Sequence, residues 1–403
     1  MFEANAATRP RLMIVATVPV SFSTFFAGQP RFLAQYFDVT LVTSSGAEVA
    51  QIESGEGLPV RVVEMTRQIA PGADLRSLRE LVAVMRELRP DLVHSYTPKA
   101  GLLAMLAARV TRVPHRFHTV QGMPLTVAAG PKRLILNATE RTTYLAATRI
   151  FSASHSLCEL IPGTWPARVP EVIGAGSVNG IDGGRFAPDV VSATERKRLR
   201  CELDIPEGDR VVAFVGRLVG DKGVTELLHA FDALIDANTT LLLVGGAEPE
   251  LDPLPEATRD LMHRHPKVRC AGWVTDVRPY LAISDLVVLP SYREGFGMVL
   301  VEAGAMGVPV VATDITGCRD VVLDGINGLL VPPRDTHALT DALGRVLGDD
   351  LLRATLAANV RRTMLERYDQ PTVHTAILAL YRETLGLPAV PARPDVEELR
   401  RAA

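Results

Sequence analysis

Short apolar runs rich in branched residues recur along the chain, and between them apolar positions return at the three- and four-residue spacing of helices. The runs Leu12-Met-Ile-Val-Ala-Thr-Val18, Phe37-Asp-Val-Thr-Leu-Val-Thr43, Val60-Arg-Val-Val63, Leu92-Val-His94, Arg116-Phe-His-Thr-Val120 and Arg149-Ile-Phe-Ser152 predict a first series of strands. A second series opens at Val211-Val-Ala-Phe-Val-Gly216 and continues through Thr240-Leu-Leu-Leu-Val-Gly245, Val268-Arg-Cys-Ala-Gly272, Asp285-Leu-Val-Val-Leu-Pro290 and Pro309-Val-Val-Ala-Thr313. Strand and helix alternate in both series, which predicts two doubly wound α/β domains of similar size. The glycine-rich join Ile173-Gly-Ala-Gly-Ser-Val-Asn-Gly-Ile-Asp182 and the polar run after it place the boundary near 185, giving domains over 1–185 and 186–370. A C-terminal helix near 371–386 is expected to complete the first. Gly174-Ala-Gly176 echoes a dinucleotide fingerprint, but Asn179-Gly180 makes a turn where that fingerprint needs a helix, and no third glycine falls at its spacing. A hinge is the use this composition favours.

Composition narrows the class. With 403 residues and 47% hydrophobic content the chain suits two globular domains. The apolar run Leu12 to Val20 is too short to cross a bilayer and contains Pro19, so neither a signal peptide nor a membrane helix is expected. Cys158, Cys201, Cys270 and Cys318 stand far apart with no paired spacing, which predicts no zinc site, no disulfide framework and a reducing cytoplasm. The net charge of −3 conceals a local surplus. From Leu92 to Pro170, Lys99, Arg109, Arg112, Arg116, Lys132, Arg133, Arg141, Arg149 and Arg168 are opposed only by Glu140 and Glu159. Without stacking aromatics or an arginine-rich tail, this surplus argues only weakly for nucleic acid, so none is expected as a partner, and better for an anionic membrane surface or a diphosphate ligand; solvated helix faces explain it equally.

Candidate chemistry concentrates in the second series. Glu294-Gly-Phe-Gly-Met-Val-Leu-Val-Glu302 lies between two predicted parallel strands and so supplies one crossover loop and helix. Ligands of such units sit beyond the carboxyl end of the strand, where Gly295 and Gly297 let the backbone come close and the free NH groups of the helix start attract phosphate. Carboxylates there repel phosphate. Glu294 and Glu302 therefore need another task, and acceptor-only groups suit the vicinal hydroxyls of a sugar and of a ribose. Taken alone, one Glu on a surface loop and another on a helix would look the same. Gly216-Arg-Leu-Val-Gly-Asp-Lys-Gly223 follows the first strand of this series and carries Arg217 and Lys222, the latter one of five lysines in a chain otherwise committed to arginine. A sugar diphosphate breaks at its anomeric carbon only if the departing charge is stabilised, by a divalent metal or by fixed cations. The sequence has no Asp-x-Asp at a strand end and no histidine pair at metal spacing. Arg217 and Lys222 are thus expected to replace a metal, and no cofactor is expected.

With these segments in place, the chain resembles the retaining glycosyltransferases of family 4, which have the GT-B fold of two Rossmann-like domains facing a cleft. Gly216-Arg217 through Lys222-Gly223 is similar to that family's diphosphate-gripping loop, Glu294 to Glu302 matches its paired-glutamate signature, and Gly272-Trp273-Val274-Thr-Asp276 is similar to its base-facing loop. The resemblance implies a nucleotide-sugar donor, by preference a UDP-sugar. Glu294 would face the donor sugar, Glu302 the ribose, and the amides of Gly295, Phe296, Gly297 and Met298 the diphosphate.

In the first half, Ala16-Thr-Val-Pro-Val-Ser-Phe-Ser23-Thr-Phe-Phe-Ala-Gly-Gln29, His94-Ser-Tyr-Thr-Pro-Lys99-Ala-Gly101 and Gly176-Ser-Val-Asn-Gly-Ile-Asp182 resemble the branch that builds capsular and other surface polysaccharides on a polyprenyl-diphosphate carrier. Ser23, Lys99 and Gln121 would then serve the acceptor, Lys99 joining the helix-start amides to hold a lipid diphosphate. Relatives commonly place His or Glu before a glycine where this chain has Gln121-Gly122. Gln cannot act as a base. His118 stands three residues earlier on the same strand, as a functional group or as a hydrogen-bonded strand histidine. In the front-face mechanism proposed for the family, the departing phosphate oxygen takes the acceptor proton, and Gln121 would orient the sugar. A cytoplasmic enzyme in peripheral contact with anionic lipid is expected. The alternatives are a sugar-nucleotide epimerase on the same fold, a dehydrogenase, and a non-catalytic nucleotide-sugar binding protein.

Overall fold

The structure, a computed structural model, describes residues 9–66, 68, 70–123, 130–161, 169–234, 238–247 and 252–389. Two parallel sheets organise the chain. The first contains β1 (Arg11–Val15), β2 (Asp38–Thr43), β3 (Val60–Val62), β4 (Leu92–Ser95), β5 (His115–Val120), β6 (Arg149–Ser152) and β7 (Glu171–Val172), in the order β3-β2-β1-β4-β5-β6-β7. The second contains β8 (Arg210–Val215), β9 (Thr239–Val244), β10 (Val268–Gly272), β11 (Leu286–Leu289), β12 (Val310–Thr313) and β13 (Leu329–Val331), in the order β10-β9-β8-β11-β12-β13. This is the doubly wound pattern expected, with the order reversing between β1 and β4 and again between β8 and β11, the points where ligands of such sheets collect.

The chain divides into two compact units: residues 1–119, 134–150 and 374–403 form one, and residues 120–133 and 151–373 the other. The sequence boundary near 185 differs from this packing boundary, because 120–133 and 151–185 cluster with the second unit. From His374 onward the C-terminal helix Gln370–Thr384 belongs to the first unit, in the stretch where the sequence placed a completing helix.

The second unit shows why its strands read as continuous apolar runs. Successive side chains of a strand point to opposite faces. Val211, Ala213, Leu242, Val244, Val287 and Leu289 enter one core cluster with Leu300, Val301, Val360 and Met364 from helices Met298–Ala305 and Asp350–Tyr368. Val212, Phe214, Leu241, Leu243, Leu286 and Val288 enter the opposite cluster with Leu227, Phe231, Leu339 and Leu343 from helices Val224–Asp232 and Thr336–Gly348. With both faces buried, every position must be apolar, and each fully buried Val or Leu contributes about 1.5–3 kcal/mol by leaving water.

In the first unit, β4 contributes the wholly buried His94, whose Nδ1 lies 2.5 Å from the Tyr381 hydroxyl and whose Nε2 lies 2.7 Å from Thr119 Oγ1. Burial holds this imidazole well below its ordinary pKa, and His118 adds to the effect. A neutral ring with both nitrogens bonded ties Tyr381 of the C-terminal helix to the sheet. The glycine-rich join forms a turn, with Gly174, Gly176, Ser177 and Gly180 at positive φ, so the sequence's rejection of a dinucleotide fingerprint agrees with the backbone.

Candidate active site

The second unit contains a cavity of about 590 Å³ at the carboxyl ends of β8, β11 and β12, and every residue lining it lies within that unit. Glycines build it. β8 ends at Val215, and the following loop closes in a tight turn over Gly220–Lys222 before Gly223, at φ 66°, starts the helix Val224–Asp232. A Cβ on Gly223 would stand 2.0 Å from the carbonyl oxygen of Pro290. Only glycine lets this loop press against the end of β11. That approach brings Lys222 Nζ to 2.5 Å from Glu294 Oε1, both side chains about 15% exposed. The buried Ser291 hydroxyl donates to the same oxygen at 2.8 Å. Lys222 and Glu294, assigned by sequence to the two ends of a donor, are paired with each other here.

Charge gives the cavity its character. Arg217, Lys222, Arg293 and Arg319 line it against Asp221 and Glu294, a surplus of two positive charges. Arg293 bridges to Asp221 at 2.7 Å, and Arg319 is held by the Asp314 carboxylate. Tyr292 donates to Glu226 and carries the Arg334 guanidinium 4.5 Å above its ring. Sequence reading missed Arg293 and Arg319. The signal for Arg293 was adjacency to Glu294; nothing local distinguished Arg319 from a surface arginine.

The same cavity is lined by Gln121, Gly122 and Met123, which follow β5, together with Leu157 and Leu160. A Cβ on Gly295 would fall 1.7 Å from the Gln121 carbonyl oxygen, so Gly295 fits against this turn only as glycine. Gln121 Nε2 is buried without a hydrogen-bond partner, a donor available to a ligand oxygen.

The remaining sequence candidates fall outside the lining of this cavity. Gly216 carries φ 159°, and its carbonyl oxygen stands 1.8 Å from where a Cβ on Gly245 would sit. Gly272, at φ 72°, accepts the Gly245 N–H at 2.8 Å; Trp273 beside it is 75% exposed, while Val274 packs on the core. Phe296 packs edge-on against Tyr368 with centroids 5.3 Å apart, and Gly297 precedes the helix Met298–Ala305. Met298 N–H donates to the Phe296 carbonyl at 2.7 Å, so this amide, expected to meet a diphosphate, is bonded within the loop. Glu302 is half-buried on the same helix. Burial pushes its carboxyl up to about 7, Arg185 opposing and Asp276 reinforcing the shift.

Three first-unit candidates are placed by that unit's own packing. His118 is 5% exposed, has Nδ1 3.0 Å from Ser95 Oγ, and presses on Gly101, where a Cβ would come within 2.4 Å of the ring. Burial pulls its pKa to about 4, so the buried ring is held neutral and hydrogen-bonded on its strand. Lys99 does not stand free at its helix start: Nζ contacts both Asp74 oxygens at 2.7 and 2.6 Å, and Thr17 Oγ1 accepts the Ala100 N–H at 3.2 Å. Ser23 is exposed and donates to the Val20 carbonyl at 3.1 Å. Part of the basic surplus is likewise consumed, since Arg109 donates to Leu145 O and Arg116 to Ala146 O and Val113 O. Arg168 and the side chain of Lys132 lie outside the described residues.

Comparison with known proteins agrees with this architecture. Residues 209–349 match the model of the group 1 glycosyl transferases, and residues 31–174 match a glycosyl transferase 4-like domain. The capsular polysaccharide biosynthesis glycosyltransferase CapM of Staphylococcus aureus is 31% identical over 363 residues, spanning 89% of this chain and 93% of CapM. The Escherichia coli UDP-Gal:alpha-D-GlcNAc-diphosphoundecaprenol alpha-1,3-galactosyltransferase is 25% identical over 83% of this chain and 86% of its own length. Among solved structures, Anabaena Alr3699/HepE in complex with UDP and glucose superposes with a TM-score of 0.77 over 94% of this chain and 100% of HepE, at 21% identity, a likeness of fold. The chain therefore belongs to the group 1, family-4-like glycosyltransferases and is a glycosyltransferase of the GT-B fold.

Proposed function

We propose that the protein transfers a sugar, with retention and without a metal, from a UDP-sugar to a polyprenyl-diphosphate-linked glycan during surface polysaccharide synthesis. The observation that carries the donor half is the Lys222–Glu294 pair in a cavity with two surplus positive charges. An entering diphosphate supplies two negative charges, draws Lys222 and Arg217 to its oxygens, and leaves Glu294 to accept from donor-sugar hydroxyls. Glu302 accepts from the ribose. The anomeric C–O bond to the diphosphate then breaks while the acceptor oxygen bonds to the same carbon on the same face. The acceptor proton passes to the departing phosphate oxygen, whose charge the fixed cations stabilise. No side-chain base is needed, which suits Gln121, whose free amide N–H orients the sugar.

The acceptor half draws on similarity to CapM and to the Escherichia coli transferase, together with the apolar wall of Met123, Leu157 and Leu160 beside the cations. The test is incubation with UDP-sugars, with and without a polyprenyl-diphosphate-linked sugar. Lengthened lipid-linked product supports the reading. Isomerised UDP-sugar without acceptor makes the protein an epimerase, and binding without turnover makes it a binding protein.

A further inference from the structure

No sequence pattern marks the segment after β6, yet its serines grip the donor loop. Ser154 Oγ donates to the Gly295 carbonyl at 3.1 Å while accepting the Leu157 N–H at 3.2 Å. Two residues on, Ser156 Oγ donates to Asp320 and accepts the Gly317 N–H at 2.8 Å. Asp320, 8% exposed, further accepts the amides of His155 at 2.6 Å and Ser156 at 3.2 Å, and its carbonyl receives the Tyr368 hydroxyl at 2.7 Å. Gly317 lies against the Glu294–Gly295 backbone: a Cβ there would meet Gly295 C and O at 3.0 Å and Glu294 O at 3.1 Å. Gln121 closes the other side. One peptide of the donor loop is thus enclosed by a hydroxyl, a glycine backbone and a carbonyl, all within the second unit.

The consequence follows from peptide geometry. Among the described residues no peptide is cis, and in a planar trans peptide the carbonyl and the next N–H point in opposite directions. Holding the Gly295 carbonyl on Ser154 therefore fixes the Phe296 N–H away from Ser154. Glycine at 295 adds no side chain to restrain this peptide, so the Ser154 hydroxyl supplies its directional restraint. We infer that Ser154, braced by Ser156 and Asp320, is a positioning residue that locks the Gly295–Phe296 peptide, so that Gly295, which lines the donor cavity, keeps one backbone orientation toward the donor. The inference rests on the donor-site reading above. With the lock broken the Gly295 carbonyl loses its hydroxyl partner, and the cavity wall next to Glu294 loses its fixed orientation.

The test is calorimetric titration with UDP and steady-state kinetics on the full chain, comparing wild type with Ser154→Ala and Ser192→Ala. Ser192 caps the helix Ala193–Glu202 in the same unit by accepting the Glu195 N–H, so its loss matches the capping defect without touching the loop. Ser154→Ala is expected to bind UDP about 3- to 10-fold more weakly, the scale of one hydrogen bond, and to raise the donor KM while leaving the acceptor KM unchanged. Ser192→Ala keeps wild-type values. Equal UDP affinity in Ser154→Ala and wild type overturns the lock, as does an equal loss in Ser192→Ala. Should Ser154→Ala not fold, Ser156→Ala carries the test, because freeing Gly317 predicts the same donor-selective loss and unchanged donor binding refutes it. Wild type that does not bind UDP at all defeats the donor-site reading instead.

Discussion

Lys222 and Glu294 face different parts of a nucleotide-sugar in the proposed complex, and without one they neutralise each other at 2.5 Å. The arrangement keeps both side chains ordered at no cost in unpaired buried charge. It also separates the two glutamates by measurement. Glu302→Ala is expected to weaken binding of bare UDP by about 1.5–3 kcal/mol, the value of a hydrogen bond to a charged group. Glu294→Ala frees Lys222, so it should bind bare UDP at least as tightly as wild type and lose affinity only for the intact donor. Equal losses of UDP affinity in both variants refute this division. The Glu302 carboxyl, raised to about 7 by burial, adds a pH signature. Its folded pKa lies above the unfolded value, so the folded protein holds the proton more tightly, and ionisation as pH rises toward 7 costs stability. The same ionisation creates the better ribose acceptor. UDP-sugar affinity should therefore rise from pH 6 to pH 8 in wild type and lose that rise in Glu302→Gln; parallel profiles would show that Glu302 does not meet the ribose. The sequence exposed both residues of the Lys222–Glu294 pair. It hid their pairing, because a contact across 72 residues depends on how closely Gly223 passes Pro290.

At the scale of elements, strands were legible where both faces are buried, since burial favours an unbroken apolar run; β11 and β12, buried throughout, fall where the sequence places them. β13 was not legible. Its three residues, Leu329–Val331, stand between Gly328 and Pro332-Pro333 and become a strand only by pairing with β12. Loop geometry was half legible: Gly295 was read as permitting a ligand's approach, while its nearest neighbour is the Gln121 carbonyl. Gly295→Ala should therefore cost about 1–3 kcal/mol of stability by overpacking, together with donor turnover. Urea unfolding at the wild-type midpoint would contradict the contact. Lys99 is a second cation assigned to a ligand and found paired within the protein. Lys99 and Asp74 are 11% and 18% exposed, so Lys99→Ala should destabilise by about 1–3 kcal/mol, less than for a fully buried pair because some water remains. The KM for lipid-linked acceptor should not change. A raised KM with unaltered stability would return Lys99 to the acceptor.

At the scale of the whole molecule, the repeated β-helix alternation announced the architecture, and the cavity's chemistry assembles from segments far apart in sequence. Asp320, Ser154 and Ser156 were illegible because no local pattern marks a buried carboxylate whose partners are backbone amides of a distant turn. Membrane contact is a whole-molecule question too. Among the described residues no helix is long and apolar enough to cross a membrane, yet the helix Gly130–Ala146 exposes Leu134, Ile135 and Leu145 beside Arg133 and Arg141. If that face meets anionic lipid, high salt releases the protein from anionic vesicles and Leu134→Ser weakens its binding. Salt-independent sedimentation with vesicles would contradict an electrostatic contribution. The central claim is that fixed cations, rather than a metal, carry the departing diphosphate through a retaining transfer. Transfer from an α-linked UDP-sugar to a polyprenyl-diphosphate-linked acceptor in excess EDTA, with the new anomeric linkage read by NMR, tests it most directly. An α-linked product at an undiminished rate is predicted; a β-linked product, or a rate that collapses with EDTA and returns with magnesium or manganese, would contradict it.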